Sequence, residues 1–171
     1  MKTNVFGIES VFSHAEDLLA AGIPLDVVDI STNEQPEPRT KKEDIRLLLE
    51  ACRDSDLVMV LGGENGILAL EIAPDNGGLE SLSLLMNKVD LSARTPIVSP
   101  GNGLTYMLYR FQGTSRNGRV ELRAGLDIVA NGQYIVVPPR KGKVLSEGWW
   151  KNFPMDEDDV AVVPAQLAAL L

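Results

Sequence analysis

Cysteine and histidine each occur once in this chain, and only two Trp, three Tyr and four Phe supply its aromatic content. A lone thiol, Cys52 in DIRLLLEACRDSD, excludes an internal disulfide and reads as a buried structural group in a reducing, cytoplasmic setting. A lone imidazole, His14, excludes a histidine-rich metal site. It also leaves Ser or Cys nucleophiles without a base unless the fold carries the first helix to them. No stretch approaches the roughly 18 uninterrupted apolar residues of a membrane span. The first ten residues lack a basic flank followed by an apolar run, so no secretory leader and no membrane association are expected. Internal repeats and low-complexity linkers are absent too, and 171 residues suit one domain, 1–171, with its own core.

What is present is a globular composition, 44% apolar and 23% charged, with a formal charge of -8. An acidic total argues against a nucleic-acid partner, but the charge is unevenly placed. Residues 1–93 carry 17 acidic against 7 basic side chains, whereas residues 94–151 carry 9 basic against 3 acidic. Arg110, Arg116, Arg119, Arg123, Arg140, Lys141, Lys143 and Lys151 lie in the second stretch and offer one face to phosphates.

Periodicity predicts a helix over 9–22, a strand at 24–30, a proline-broken loop at 31–39 and a helix to Cys52. Thr40 and Glu43 in TKKE fit a capping box for that second helix. Apolar runs at 57–61 and 66–72, joined by GGENG, predict a hairpin. A helix at 79–86 with Leu79, Leu82, Leu85 and Met86 as its apolar face follows. Short strands are expected at 96–99, 105–111, 120–123, 126–129 and 134–137, then a closing helix at 164–171. Helices interposed in a mainly antiparallel or mixed sheet define an α+β domain.

Two carboxylates stand out, because each follows an apolar run that would bury its strand: Glu71 in ILALEIA and Asp127 in GLDIVANG. A carboxylate at a buried strand end is costly unless paired, hydrogen-bonded or bound to a cation. A second carboxylate two residues beyond Glu71 would share its side and complete a cation clamp, but that position is Ala73. Asp75 follows Pro74, so its direction is unreadable from sequence. In PGNGLTYMLYR, Gly101 and Gly103 precede a strand, and backbone amides of such a turn can cradle phosphate. Tyr106, Arg110, Arg123, Arg140 and Lys141 are the accompanying candidates for stacking on or binding a nucleotide or nucleic acid.

The ordered set of motifs resembles the N-terminal primase-polymerase domain of bifunctional replication proteins of plasmids, phages and mobile elements, within the archaeo-eukaryotic primase superfamily. AEDLLAAGIPL resembles the family's opening helix and TKKEDIRLLLEA its next one. QPEPRT falls where the family often has a lysine-proline turn. LVMVLGGENGILALEIA is similar to a segment that usually ends in Asp-x-Asp, and PGNGLTYMLYRF to its glycine turn and histidine strand. GLDIVANGQYIVVPPR resembles the best local signature of the family, and PAQLAALL its closing helix.

The resemblance implies an RRM-like catalytic core with flanking helices, and a nucleotidyltransferase site holding two Mg²⁺ or Mn²⁺ ions. Carried over position by position, the first metal carboxylate is Glu71, the second is lost at Ala73 and the third is Asp127. The phosphate-binding histidine becomes Tyr106, the arginine after the third carboxylate becomes Val129, and a serine becomes Arg140. The expectation is a degenerate domain that uses no metal. It would act in DNA replication through a replication protein, DNA or a nucleoside triphosphate. The competing expectation is an active primase/polymerase with Mg or Mn on Glu71 and Asp127.

Overall fold

Odd and even residues of one strand, Ile67–Ile72, enter two different hydrophobic cores, and this alternation organises the molecule. The computed structural model describes residues 7–52, 54–63, 66–91, 94–113, 118–138 and 149–171. Its elements in chain order are α1 (Ile8–Ala20), β1 (Leu25–Val28), α2 (Lys42–Ala51), β2 (Asp56–Val60), β3 (Ile67–Ile72), α3 (Gly78–Met86), β4 (Ile97–Val98), β5 (Thr105–Arg110), β6 (Arg119–Arg123), β7 (Leu126–Val129), β8 (Tyr134–Val136), β9 (Trp150–Lys151) and α4 (Ala165–Ala168). Short 3₁₀ turns occupy Pro74–Asn76 and Glu157–Asp159.

The architecture is the expected α+β, with its strands in two antiparallel sheets. Three strands run in the order β1-β2-β8, and six in the order β6-β7-β3-β5-β4-β9. Ile67, Ala69, Leu108 and Val129 face a core shared with α1, α2 and the small sheet. Leu68, Leu70, Met107, Tyr109 and Ile128 face a second core with Val89, Leu91 and Leu167. Burial on both faces explains why β2 and β3 read as continuous apolar runs.

The expected hairpin between 57–61 and 66–72 does not form. β2 pairs with β1 and β8, β3 pairs with β5 and β7, and only the isolated bridge Gly62↔Ile67 links the two runs. Both strands are central, so each takes its two partners from elsewhere, while Gly62 at φ +87° redirects the chain between sheets. A Cβ at Gly62 would lie 2.4 Å from the Asn131 Cα, so the two connections between the sheets touch there.

The capping box at Thr40 is also absent: Lys41 is the N-cap of α2 and no side chain caps it. The chain ahead of it is held instead by Asp26, a buried carboxylate that accepts from the Val27 amide (2.9 Å), the Glu37 amide (2.8 Å) and Arg39 Nε (2.8 Å). On α3 the expected apolar face is only partly buried. Leu79 and Met86 are exposed, while Ser81 turns inward and donates to the Ala124 carbonyl at 2.7 Å. Among the described residues, no helix is long and apolar enough to cross a membrane.

Candidate active site

Register brings the two carboxylates side by side. Glu71 lies opposite Tyr106 of β5 on one flank and opposite Asp127 of β7 on the other. Directly opposed residues share a face with Cβ atoms about 5 Å apart. At that separation two carboxylates repel by roughly 3 kcal/mol for an effective dielectric of about 20. The same odd-numbered series fills the first core with Ile67 and Ala69, so Glu71 sits where that apolar face ends. A cation is therefore the natural third member of the group.

The cation is Arg119. It lies on the edge strand β6 opposite Val129, and its side chain crosses β7 diagonally to reach both acids. Nη1 and Nη2 fork onto Glu71 Oε1 and Oε2 at 2.7 and 3.2 Å, and Nη1 also donates to Asp127 Oδ2 at 2.5 Å. Glu71 keeps 12% of its side chain exposed, Asp127 21% and Arg119 45%. Two parallel N–H bonds to one carboxylate are geometrically specific. Partial exposure discounts them to about 1–2 kcal/mol. The hydrogen bond to Glu71 is the main cause holding the Arg119 guanidinium above its ordinary pKa; desolvation opposes it and Asp127 adds to it.

Tyr106 closes the other side. It is buried, and its ring lies opposite Glu71 in the β3–β5 register and beside Asn102 at the edge of an open hollow. Burial, first, and the charge of Glu71, second, push the phenol up to about 12, against smaller opposing effects of Asn102 and Arg119. Tyr106 is thus a neutral donor where an imidazole would offer a titratable ring.

Gly101 and Gly103 occupy the exposed turn before β5 with φ of +88° and +82°, conformations that suit glycine. The turn reaches the site through Asn102, whose Oδ1 accepts from the Leu104 amide at 3.1 Å and whose side chain meets Tyr106. An open hollow of about 490 Å³ adjoins Tyr106 and Asn102, bounded by Gln35 and by 132–136.

Other candidates lie apart. Arg110 spends its guanidinium on main-chain carbonyls: Nε donates to Glu157 at 2.9 Å and Nη2 to Ala21 at 2.8 Å. Arg110 pairs beside Ile67, whereas exposed Arg123 pairs beside Leu126, which faces Ile72. Five residues of β3 separate these levels, about 17 Å of strand, so the two arginines stand near opposite ends of that strand. Asp75 is exposed on the 3₁₀ turn. Arg140 and Lys141 lie outside the described residues. In the sequence Arg119 stands only among the basic residues that could face phosphates, not as a partner of the acids, and Asn102 is not a candidate. The available signal was RVELR itself, whose alternating charges share a face once the Ala124–Gly125 turn folds β6 back on β7.

The fold is thus a two-sheet α+β domain with two acids in register across neighbouring strands. In the family comparison, the model for the N-terminal domain of bifunctional DNA primase/polymerases (Prim-Pol) matches residues 19–165. The chain belongs to that family, and its functional class is accordingly primase/polymerase-like, with DNA replication as its setting. A search of curated proteins finds no match.

Proposed function

We propose that this is a primase-polymerase domain that has given up nucleotidyl transfer and serves replication of a plasmid, phage or mobile element by engaging a replication protein. One observation carries the reading: both remaining carboxylates, Glu71 and Asp127, are bonded to Arg119, while Ala73 stands where the third would be. Two-ion catalysis requires oxygen ligands that clamp both the attacking and the leaving oxygens. Among the described residues, no group of three or more His, Cys, Asp or Glu could hold a metal ion. The donor set, two carboxylates already shared with Arg119, does not suit a pair of Mg²⁺ or Mn²⁺ ions. Without that positive charge, a triphosphate approaching the acids meets net negative charge. A protein partner is preferred to DNA because Arg110 and Arg119 are already bonded to groups of this chain and the chain is acidic.

A primer-synthesis and extension assay in Mg²⁺ or Mn²⁺, run beside Glu71→Ala and Asp127→Ala, tests this. No template-directed product is expected from any of the three. The second reading, an active polymerase, draws on the adjacency of Glu71 and Asp127 and on the hollow beside Tyr106. Product that disappears in both variants establishes it. Titration with DNA at two salt concentrations then separates nucleic-acid binding, which weakens steeply with salt, from engagement of a protein.

A further inference from the structure

We infer that the Arg119 guanidinium is the resident cation of this cleft, and that removing it uncovers a one-ion divalent site on Glu71 and Asp127. The inference deepens the non-catalytic reading above and rests on it for its meaning. Glu71 is bonded through both oxygens and Asp127 through one, all to a single side chain. A divalent ion seeking those same oxygens must first displace the fork. Guanidinium is planar, permanently charged and donor-only, so it balances the acids but offers no open coordination position to a water or a phosphate oxygen. Its origin is also telling. Arg119 lies directly opposite Val129, and Val129 is buried in the first core where a charged group would have no place. The basic group therefore comes from the edge strand, whose outer side leaves room for a long side chain to arch over β7.

The test is a Mn²⁺ titration of the purified chain, reading free Mn²⁺ by electron paramagnetic resonance, for wild type, Arg119→Gln and Arg119→Met. The Met variant keeps an apolar stem over the strand, and circular dichroism establishes that each variant is folded. One Mn²⁺ per chain is expected in the folded variants, at least tenfold tighter than in wild type and lost in Glu71→Gln/Arg119→Gln. Mn²⁺ should also raise the melting temperature of the single variants but not that of wild type. Equal affinity in wild type and variants overturns the inference, as does a folded variant that binds no ion. Product in the extension assay overturns the non-catalytic reading while leaving this comparison of affinities intact. The two failures are thus separable.

Discussion

Arg119 grips Glu71 across an intervening strand, both carboxylate oxygens in its fork, although the two residues lie 48 positions apart in the chain. The contact ties the edge strand β6 to the sheet centre, so it bears on stability as well as on chemistry. In a double-mutant cycle with Glu71→Gln and Arg119→Gln, a coupling of about 1–2 kcal/mol is expected, shrinking at high salt. Urea unfolding of the four proteins measures it. A coupling near zero would show that the fork is too solvated to matter.

Tyr109 points the other way from β5, fully buried in the second core, and its hydroxyl has no hydrogen-bond partner among the described residues. An orphaned buried donor carries its desolvation cost without return. Tyr109→Phe should therefore raise stability by about 1 kcal/mol, seen as a higher urea midpoint at unchanged slope. Destabilisation by the same amount would point to a partner for the hydroxyl.

Alkaline pH offers a third check. Burial pushes both Tyr106 and Tyr109 up to about 12 from an ordinary value of 10.0, with Glu71 reinforcing the shift at Tyr106. The unfolded chain loses these protons first, so folding stability is complete below pH 10 and falls as pH rises toward 12. The loss is on the order of 2 kcal/mol per phenol. Absorbance at the phenolate band should show late ionisation that Tyr106→Phe and Tyr109→Phe each reduce by one tyrosine equivalent. A late phase that neither substitution reduces contradicts the burial of both rings.

Strand identities were readable because apolar runs are local: the expected strand at 126–129 is β7, and that at 66–72 contains β3. Glu71 and Asp127 were readable for the same reason, as acids ending such runs. Partnership was not. GGENG is a turn signal, but which strands flank β2 and β3 depends on burial of both faces, a property of the whole sheet. RVELR shows that Arg119 shares a face with other charges, but its link to the acids also requires the β6–β7 register and the shift between Glu121 and Arg123, which that pattern does not encode. Arg110 looked like a phosphate ligand because its carbonyl partners, Ala21 and Glu157, lie 89 and 47 residues away.

The register that aligns the acids depends on a close backbone crossing at Gly78, the first residue of α3. A Cβ there would sit 2.4 Å from the Gly125 carbonyl oxygen and 2.7 Å from that of Ala73. Those two residues are themselves joined, the Ala73 amide donating to Gly125 at 2.8 Å. The end of β3 and the turn from β6 to β7 therefore meet on a surface with no room for a methyl group. Helix propensity alone says that Gly78→Ala should stabilise by up to about 1 kcal/mol. The contact says the opposite, because backbone cannot yield as a side chain can, and a loss of about 2–4 kcal/mol is expected. Gly103→Ala is the comparison, since its φ is +82° and nothing lies within 4 Å of its Cβ. That variant should lose only about 1 kcal/mol, the cost of the left-handed conformation. Urea unfolding of both variants decides between propensity and packing by the sign of the change at Gly78. Strand displacement there should also weaken the Glu71–Arg119 coupling, which Gly103→Ala should leave unchanged.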